Sequence, residues 1–141
     1  MPFRPSVAPT LLLPALLASA AALAGDAAPA PDVDPASRAF AAKVQACEKA
    51  MHQSPHPIVA GFTIEHAVHG QTEGRCIFSQ TMPAGMRLEC ALSEQGRAGL
   101  AHEFREMAQG RMSGSTGEQA AWTRECGIIL PDGKRLPVGP A

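Results

Sequence analysis

Four cysteines are the residues of this chain whose types and spacing most clearly suggest chemistry. They are Cys47, Cys76, Cys90 and Cys126, separated by 29, 14 and 36 residues. No Cys-x-x-Cys pair is present, which argues against a thiol–disulfide oxidoreductase. The spacings also differ from the closely paired ligands of a structural zinc site. An even number of cysteines in an exported chain therefore predicts two disulfide bonds.

Four cysteines allow three disulfide pairings, and the sequence alone does not choose among them. One geometric argument favours a pairing. If Pro83 centres the turn between the second and third predicted strands, Cys76 lies directly opposite Cys90, at ~4.5 Å between Cα atoms. Cys47 and Cys126 would then form the second disulfide and join the first helix to the last strand.

Histidine and methionine are the other residue types that could support chemistry. His52 and His56 are four residues apart, but Pro55 and Pro57 disfavour a helix that would place them on one face. The full set of candidate metal ligands is His52, His56, His66 and His69. Thioethers suit Cu(I), and the candidate donors of this kind are Met51, Met82, Met86 and Met112. The more ordinary interpretation is methionine in the core and histidine at the surface.

The sequence contains no recognisable catalytic motif. Residues 113–117 are rich in Gly and Ser, but they match neither G-x-S-x-G nor a phosphate-binding loop. Glu103 and Glu106 are expected on the solvated face of the second helix. Glu65, His66 and His69 form the only local concentration of carboxylate and imidazole groups. We therefore expect no enzyme and no cofactor, and an unrecognised hydrolase stays open only if Glu65 and His66 lie within hydrogen-bond distance.

The N-terminus has the layout of a secretory signal peptide. Arg4 supplies positive charge, an apolar stretch follows, and Ala22-Leu23-Ala24 is a small-residue cleavage signal. We expect residues 1–24 to be removed, which leaves no membrane span, and residues 25–33 to be a flexible leader. The predicted location is a periplasm or the cell exterior, most simply that of a bacterium. A single domain is expected over residues 34–137, with a tail at residues 138–141.

Hydrophobic patterning predicts the elements of this domain. Asp34 and Pro35 are typical of a helix start, and the helix is expected to continue to Pro55. Alternation predicts strands over residues 61–68, 75–80 and 86–92, and Ser93 begins a second helix that ends at Gly110. A fourth strand is expected over residues 121–130, and a short edge strand over residues 134–136. The predicted fold is α+β, with an antiparallel sheet of about four strands covered by two helices in the order α-β-β-β-α-β.

Composition limits the functional classes. The 141 residues carry a formal net charge of −1 and include no Tyr and one Trp, which argues against a nucleic-acid partner. The favoured hypothesis is a small exported, disulfide-stabilised interaction module, such as an envelope accessory protein or an inhibitor. Its partner would be a protein or a small ligand in the cell envelope, bound at a sheet face, at an edge strand or at the loop of residues 111–118. The candidate contacts for the loop are Ser113, Ser115 and Trp122. The alternative is copper handling through His and Met, and a monomer is favoured.

Overall fold

The computed structural model describes residues 30–111 and 121–138, and the helices and strands of these segments form two layers. The elements are α1 (Pro35–Ala46), β1 (Ala50–Pro55), β2 (Thr63–Thr72), β3 (Arg75–Thr81), β4 (Arg87–Leu92), α2 (Glu94–Ala108), β5 (Cys126–Ile129) and β6 (Arg135–Pro137). Two short 3-10 helices cover Pro83–Gly85 and Ala121–Glu125.

The strands form one sheet in the order β1-β2-β3-β4-β5-β6, with every neighbouring pair antiparallel. Apolar side chains of both helices and of one sheet face share a single core, which includes Phe40, Val44, Phe78, Leu92 and Phe104. The α+β class is thus confirmed, but the sheet has six strands and the prediction of about four is wrong.

The first helix begins where its capping residues predict. The Asp34 side chain accepts a hydrogen bond from the Ser37 amide, and Pro35 occupies the first turn. The helix ends at Ala46, because Cys47 takes a left-handed conformation with φ 52°. The prediction that it continues to Pro55 is therefore wrong, and Ala50–Pro55 forms the edge strand β1 instead.

Two disulfides are present, as predicted, but both predicted pairings are wrong. Cys47 bonds to Cys76, and Cys90 bonds to Cys126. Thr81 pairs with Arg87, so the turn between β3 and β4 is centred on Ala84 and not on Pro83. This shift places Cys76 opposite Leu92, while Cys90 and Cys126 face each other across β4 and β5.

The predicted strand over residues 121–130 is only partly correct. Its first half is the 3-10 helix, which packs beside α2, and only Cys126–Ile129 is a strand. The Glu125 carboxylate accepts hydrogen bonds from the backbone amide and the hydroxyl of Ser93, the residue that caps α2. A Cβ on Gly96 would lie 2.5 Å from this carboxylate, so the Glu125 side chain would have to shift if residue 96 were larger than glycine.

The first described residues contact the rest of the domain. The backbone amide of Val33 donates to the Ala108 carbonyl, and Asp32 forms an ion pair with Arg38. The predicted signal peptide, most of the predicted leader and residues 139–141 lie outside the described residues. Within residues 30–111 and 121–138, neither helix has the length and apolar character needed to cross a bilayer.

Candidate binding cleft

A cleft of about 370 Å³ opens at one end of the interface between the helices and the sheet. It lies where α1 begins, where β1 and β3 end, and where β2 begins, with α2 as a further wall. Its polar lining consists of Asp34, Ser54, His66, Gln80 and Glu103. Its apolar lining consists of Pro55, Pro57, Ile64 and Met107.

His66 is the most deeply buried polar residue of the cleft, with an exposure of 4%. Its inward orientation follows from the alternation of β2, which places Ile64, His66 and Val68 on the helix-facing side. Ring atom Nε2 lies 3.0 Å from the Ser54 hydroxyl. Within the described residues, ring atom Nδ1 has no hydrogen-bond partner of normal geometry. A buried polar atom without a partner is rare in proteins and is often found at a functional site.

Aromatic rings surround the His66 imidazole. It stacks on His52 and on Phe78, with ring centroids 5.8 and 6.3 Å away, and Phe104 contacts it edge-on at 5.0 Å. Burial lowers the pKa of His66 to about 4, and a charge on His52 lowers this pKa further, while a hydrogen bond with the Gln80 side chain raises it. His66 is therefore neutral at pH 7.

A second, partly buried network extends from the cleft residue Asp34 and connects α1 to β1. The Ser37 hydroxyl donates to Asp34 Oδ2 at 2.5 Å, and its oxygen lies 3.1 Å from His52 Nε2. Because the hydroxyl hydrogen points to the carboxylate, the Ser37 oxygen accepts from His52. The Ser37 hydrogen bonds lower the pKa of Asp34, which keeps this carboxylate ionised.

This network does not have the order of a nucleophilic triad. In such a triad the imidazole lies between the carboxylate and the hydroxyl, so that it can remove the hydroxyl proton. Here the hydroxyl of Ser37 lies between Asp34 and His52. Ser37 is also fully buried, so the arrangement orders the start of α1.

Glu103 contributes the second carboxylate of the cleft. The Trp122 indole N–H donates to Glu103 Oε1 at 2.8 Å. Burial raises the pKa of Glu103, and the Trp122 hydrogen bond partly opposes that shift. The prediction that Glu103 lies on a solvated face is therefore wrong. Helix periodicity could not predict the burial of Glu103, because this burial depends on a contact with Trp122, 19 residues away in the sequence.

The structure brings together only two of the four predicted metal ligands. His52 and His66 face each other across β1 and β2. His56 instead accepts hydrogen bonds from the amides of Ile58 and Val59, and the exposed His69 bonds to Ser79. Over residues 30–111 and 121–138, no group of three His, Cys, Asp or Glu residues is placed to hold a metal ion.

Two other described residues singled out from the sequence, Glu65 and Trp122, do not line the cleft. Glu65 and His66 are neighbours on β2 and point to opposite faces of the sheet, so they cannot act as a pair. Trp122 is buried, with an exposure of 8%. Ser113 and Ser115 lie outside the described residues.

Comparisons with protein-family models, with curated proteins and with solved structures gave no match to this chain. The chemistry of the cleft is therefore the available basis for a functional proposal.

Proposed function

We propose that the chain is an exported, disulfide-stabilised binding module, and that the cleft at His66 is its binding site. The occupant would be a small ligand of the cell envelope, or a side chain of a protein partner. The observation that carries this proposal is a cleft of about 370 Å³ that combines apolar walls with a buried, neutral imidazole, that of His66.

The rim of the cleft supports the same proposal. Pro57 lines the cleft, and the two residues that follow it, Ile58 and Val59, have exposures of 87% and 40%. Neighbouring apolar side chains that stay exposed are typical of binding surfaces. The site therefore combines an apolar rim, apolar walls and a few fixed polar groups, which is the usual composition of a ligand site.

The experiment is protein-observed NMR with four probes of one size: butylamine, butanol, butyramide and butyrate. We expect at least one probe to shift the amide resonances of Ser54, Ile64 and Gln80. The proposal is wrong if no probe shifts them, or if the shifts fall on the opposite face of the sheet, for example at Gln53 and Thr63.

A matched pair of variants shows whether the cleft itself is responsible. Ser54→Leu adds bulk inside the cleft. Ser79→Leu makes the same change on the outward side of β3. Binding should be lost in the first variant and retained in the second, with the amide spectrum used to verify that both are folded.

A further inference from the structure

We infer that the free edge of β1 pairs with β1 of a second copy of this chain, so that the sheets of the two copies join into one. This inference goes beyond the proposed function, does not depend on what the cleft binds, and departs from the sequence-based expectation of a monomer. Three properties of the edge support it: outward-pointing backbone groups, a lack of protection, and complementarity to itself about a two-fold axis.

Strand β1 is one edge of the sheet, and within the described residues β2 is the only strand that pairs with it. The residues of an antiparallel strand bond alternately to one side and to the other. The His56 amide donates to the Phe62 carbonyl on the β2 side, so every second residue before His56 also bonds to β2. The N–H and C=O groups of Met51 and Gln53 therefore point to the free edge.

The opposite edge of the sheet, β6, is protected against further pairing. The Lys134 carbonyl accepts from the Leu130 amide on the β5 side, so Arg135 and Pro137 have their backbone groups at the outer edge. Pro137 has no N–H to donate, and Arg135 places a charge there. Strand β1 has neither device: residues 50–54 include no Lys, Arg, Asp, Glu or Pro, and no bulge interrupts their pairing with β2. Such an edge is a template for another strand.

A second copy fits this edge because the edge is complementary to itself. When His52 faces its own copy at a two-fold axis, Met51 of each chain lies opposite Gln53 of the other. Each of these symmetric pairs exchanges two hydrogen bonds, which gives every outward N–H and C=O group of both residues a partner. A shift of this register would place Lys49, which lies outside the strand, or Pro55, which has no N–H, opposite them. The pairing also covers part of the Met51 side chain, which is 66% exposed in a single copy.

The charges beside the edge have the signs that this pairing requires. Glu65, opposite Gln53, and Lys49, two residues before Met51, belong to the outward face of the sheet. Among the described residues, neither charge takes part in a salt bridge. In the two-fold pair each Lys49 lies closer to Glu65 of the other copy than to the other Lys49. Opposite charges therefore approach each other across the junction, and like charges stay apart.

The first test is the mass of the purified protein, measured by sedimentation equilibrium at concentrations up to about 1 mM, at which even a small interface is occupied. We expect twice the mass of one chain. In the dimer the amides of Met51 and Gln53 should become protected from hydrogen exchange, while those of His52 and Ser54 are protected at every concentration. A monomer at about 1 mM, or a dimer that leaves Met51 and Gln53 unprotected, overturns the inference.

A matched pair of proline variants locates the interface. Gln53→Pro removes one outward N–H of β1 and leaves the hydrogen bonds to β2 in place. It should raise the dissociation constant of the dimer at least about tenfold. Arg135→Pro makes the same change at the outer edge of β6 and should leave the constant unchanged. Amide spectra verify that both variants are folded, and an equal effect of the two contradicts pairing through β1.

A charge exchange tests the antiparallel register and requires no change to the backbone. Lys49→Glu and Glu65→Lys each place like charges across the junction, so each should raise the dissociation constant about threefold or more. The double variant Lys49→Glu/Glu65→Lys restores opposite charges and should dimerise about as tightly as the native protein. A double variant that dimerises no more tightly than either single variant overturns this pairing.

Discussion

The two ends of the interface between the helices and the sheet are built in opposite ways. At one end, the Cys47–Cys76 disulfide joins the end of α1 to the start of β3. Near it, the Cys90–Cys126 disulfide joins β4 to β5. At the other end, where α1 begins, the layers enclose two imidazoles, two hydroxyls and two carboxylates.

This difference suggests a division of roles. The Cys47–Cys76 disulfide and apolar packing hold the two layers together at the disulfide end, and the Cys90–Cys126 disulfide holds β4 beside β5. The cleft end is then able to keep a buried neutral imidazole, an arrangement that costs stability when the pH falls.

Removal of one disulfide should have the largest effect on stability. The Cys90→Ala/Cys126→Ala variant removes the crosslink between two residues that are 36 positions apart in the sequence. The chain-entropy estimate for loops of this length is about 4 kcal/mol. The free energy of unfolding, measured by urea denaturation, should fall by about that amount. A loss smaller than that of the cleft variants below would contradict the division of roles.

Acidification should destabilise the protein through His66. Its folded-state pKa is about 4 and its ordinary value is 6.5, so the unfolded state takes up a proton first as the pH falls. The contribution of His66 to the free energy of unfolding is complete above pH 6.5 and decreases as the pH falls to 4. Below pH 4 this group lowers the free energy of unfolding no further. The linked loss is about 3 kcal/mol.

The His66→Phe variant isolates this contribution. Asp34, His52 and Glu103 are unchanged in it, so the difference in unfolding free energy between the native protein and the variant reports His66 alone. That difference should change by about 3 kcal/mol between pH 7 and pH 4. The exposed His69 provides the control, because His69→Phe should retain the pH dependence of the native protein. A constant difference for His66→Phe would show that the imidazole is not held neutral by burial.

The buried hydroxyl behind the cleft should have a moderate effect. Ser37→Ala removes the group that lies between Asp34 and His52, and leaves polar atoms of both without this partner. The expected loss in unfolding free energy is about 2 kcal/mol. The reference is Ser79→Ala, which removes a hydroxyl bonded to the exposed His69 and should cost less than about 0.5 kcal/mol. Urea denaturation of both variants gives the comparison, and an equal loss would mean that the Ser37 hydroxyl has no special role in joining α1 to β1.

The apolar rim should contribute least to stability. Ile58 is almost fully exposed, so Ile58→Ser should change the unfolding free energy by less than about 0.5 kcal/mol. Ile64→Ala, in the wall of the cleft, should cost about 3 kcal/mol because that side chain is buried. A large loss in Ile58→Ser would mean that the rim supports the fold and is not free to contact a ligand.

Much of the fold was predictable because its signals are local. The caps at Asp34 and Ser93 set both helix starts, and the alternation around His66 set the inward face of β2. Strand β1 was missed because nothing in the sequence marks the left-handed conformation of Cys47, a residue other than glycine. The disulfide pairing could not be predicted because the turn between β3 and β4 is centred on Ala84, with φ 61°, and not on Pro83.

The cleft was less predictable, for a physical reason. Its residues come from α1, β1, β2, β3 and α2, so only the packing of the layers brings them together. The inward orientation of His66 could be predicted from β2 alone. The roles of Ser54 and Glu103 depend on contacts 12 and 19 residues away in the sequence, and no local pattern encodes them.

The most direct test of the cleft as a binding site is the pair of ¹⁵N ring resonances of His66, recorded at pH 7 while each of the four probes is added in turn. We predict a neutral ring in the free protein and a shift of its resonances that saturates with at least one probe, while the ring resonances of His69 stay unchanged. A charged ring in the free protein, or resonances that no probe moves, would contradict the account.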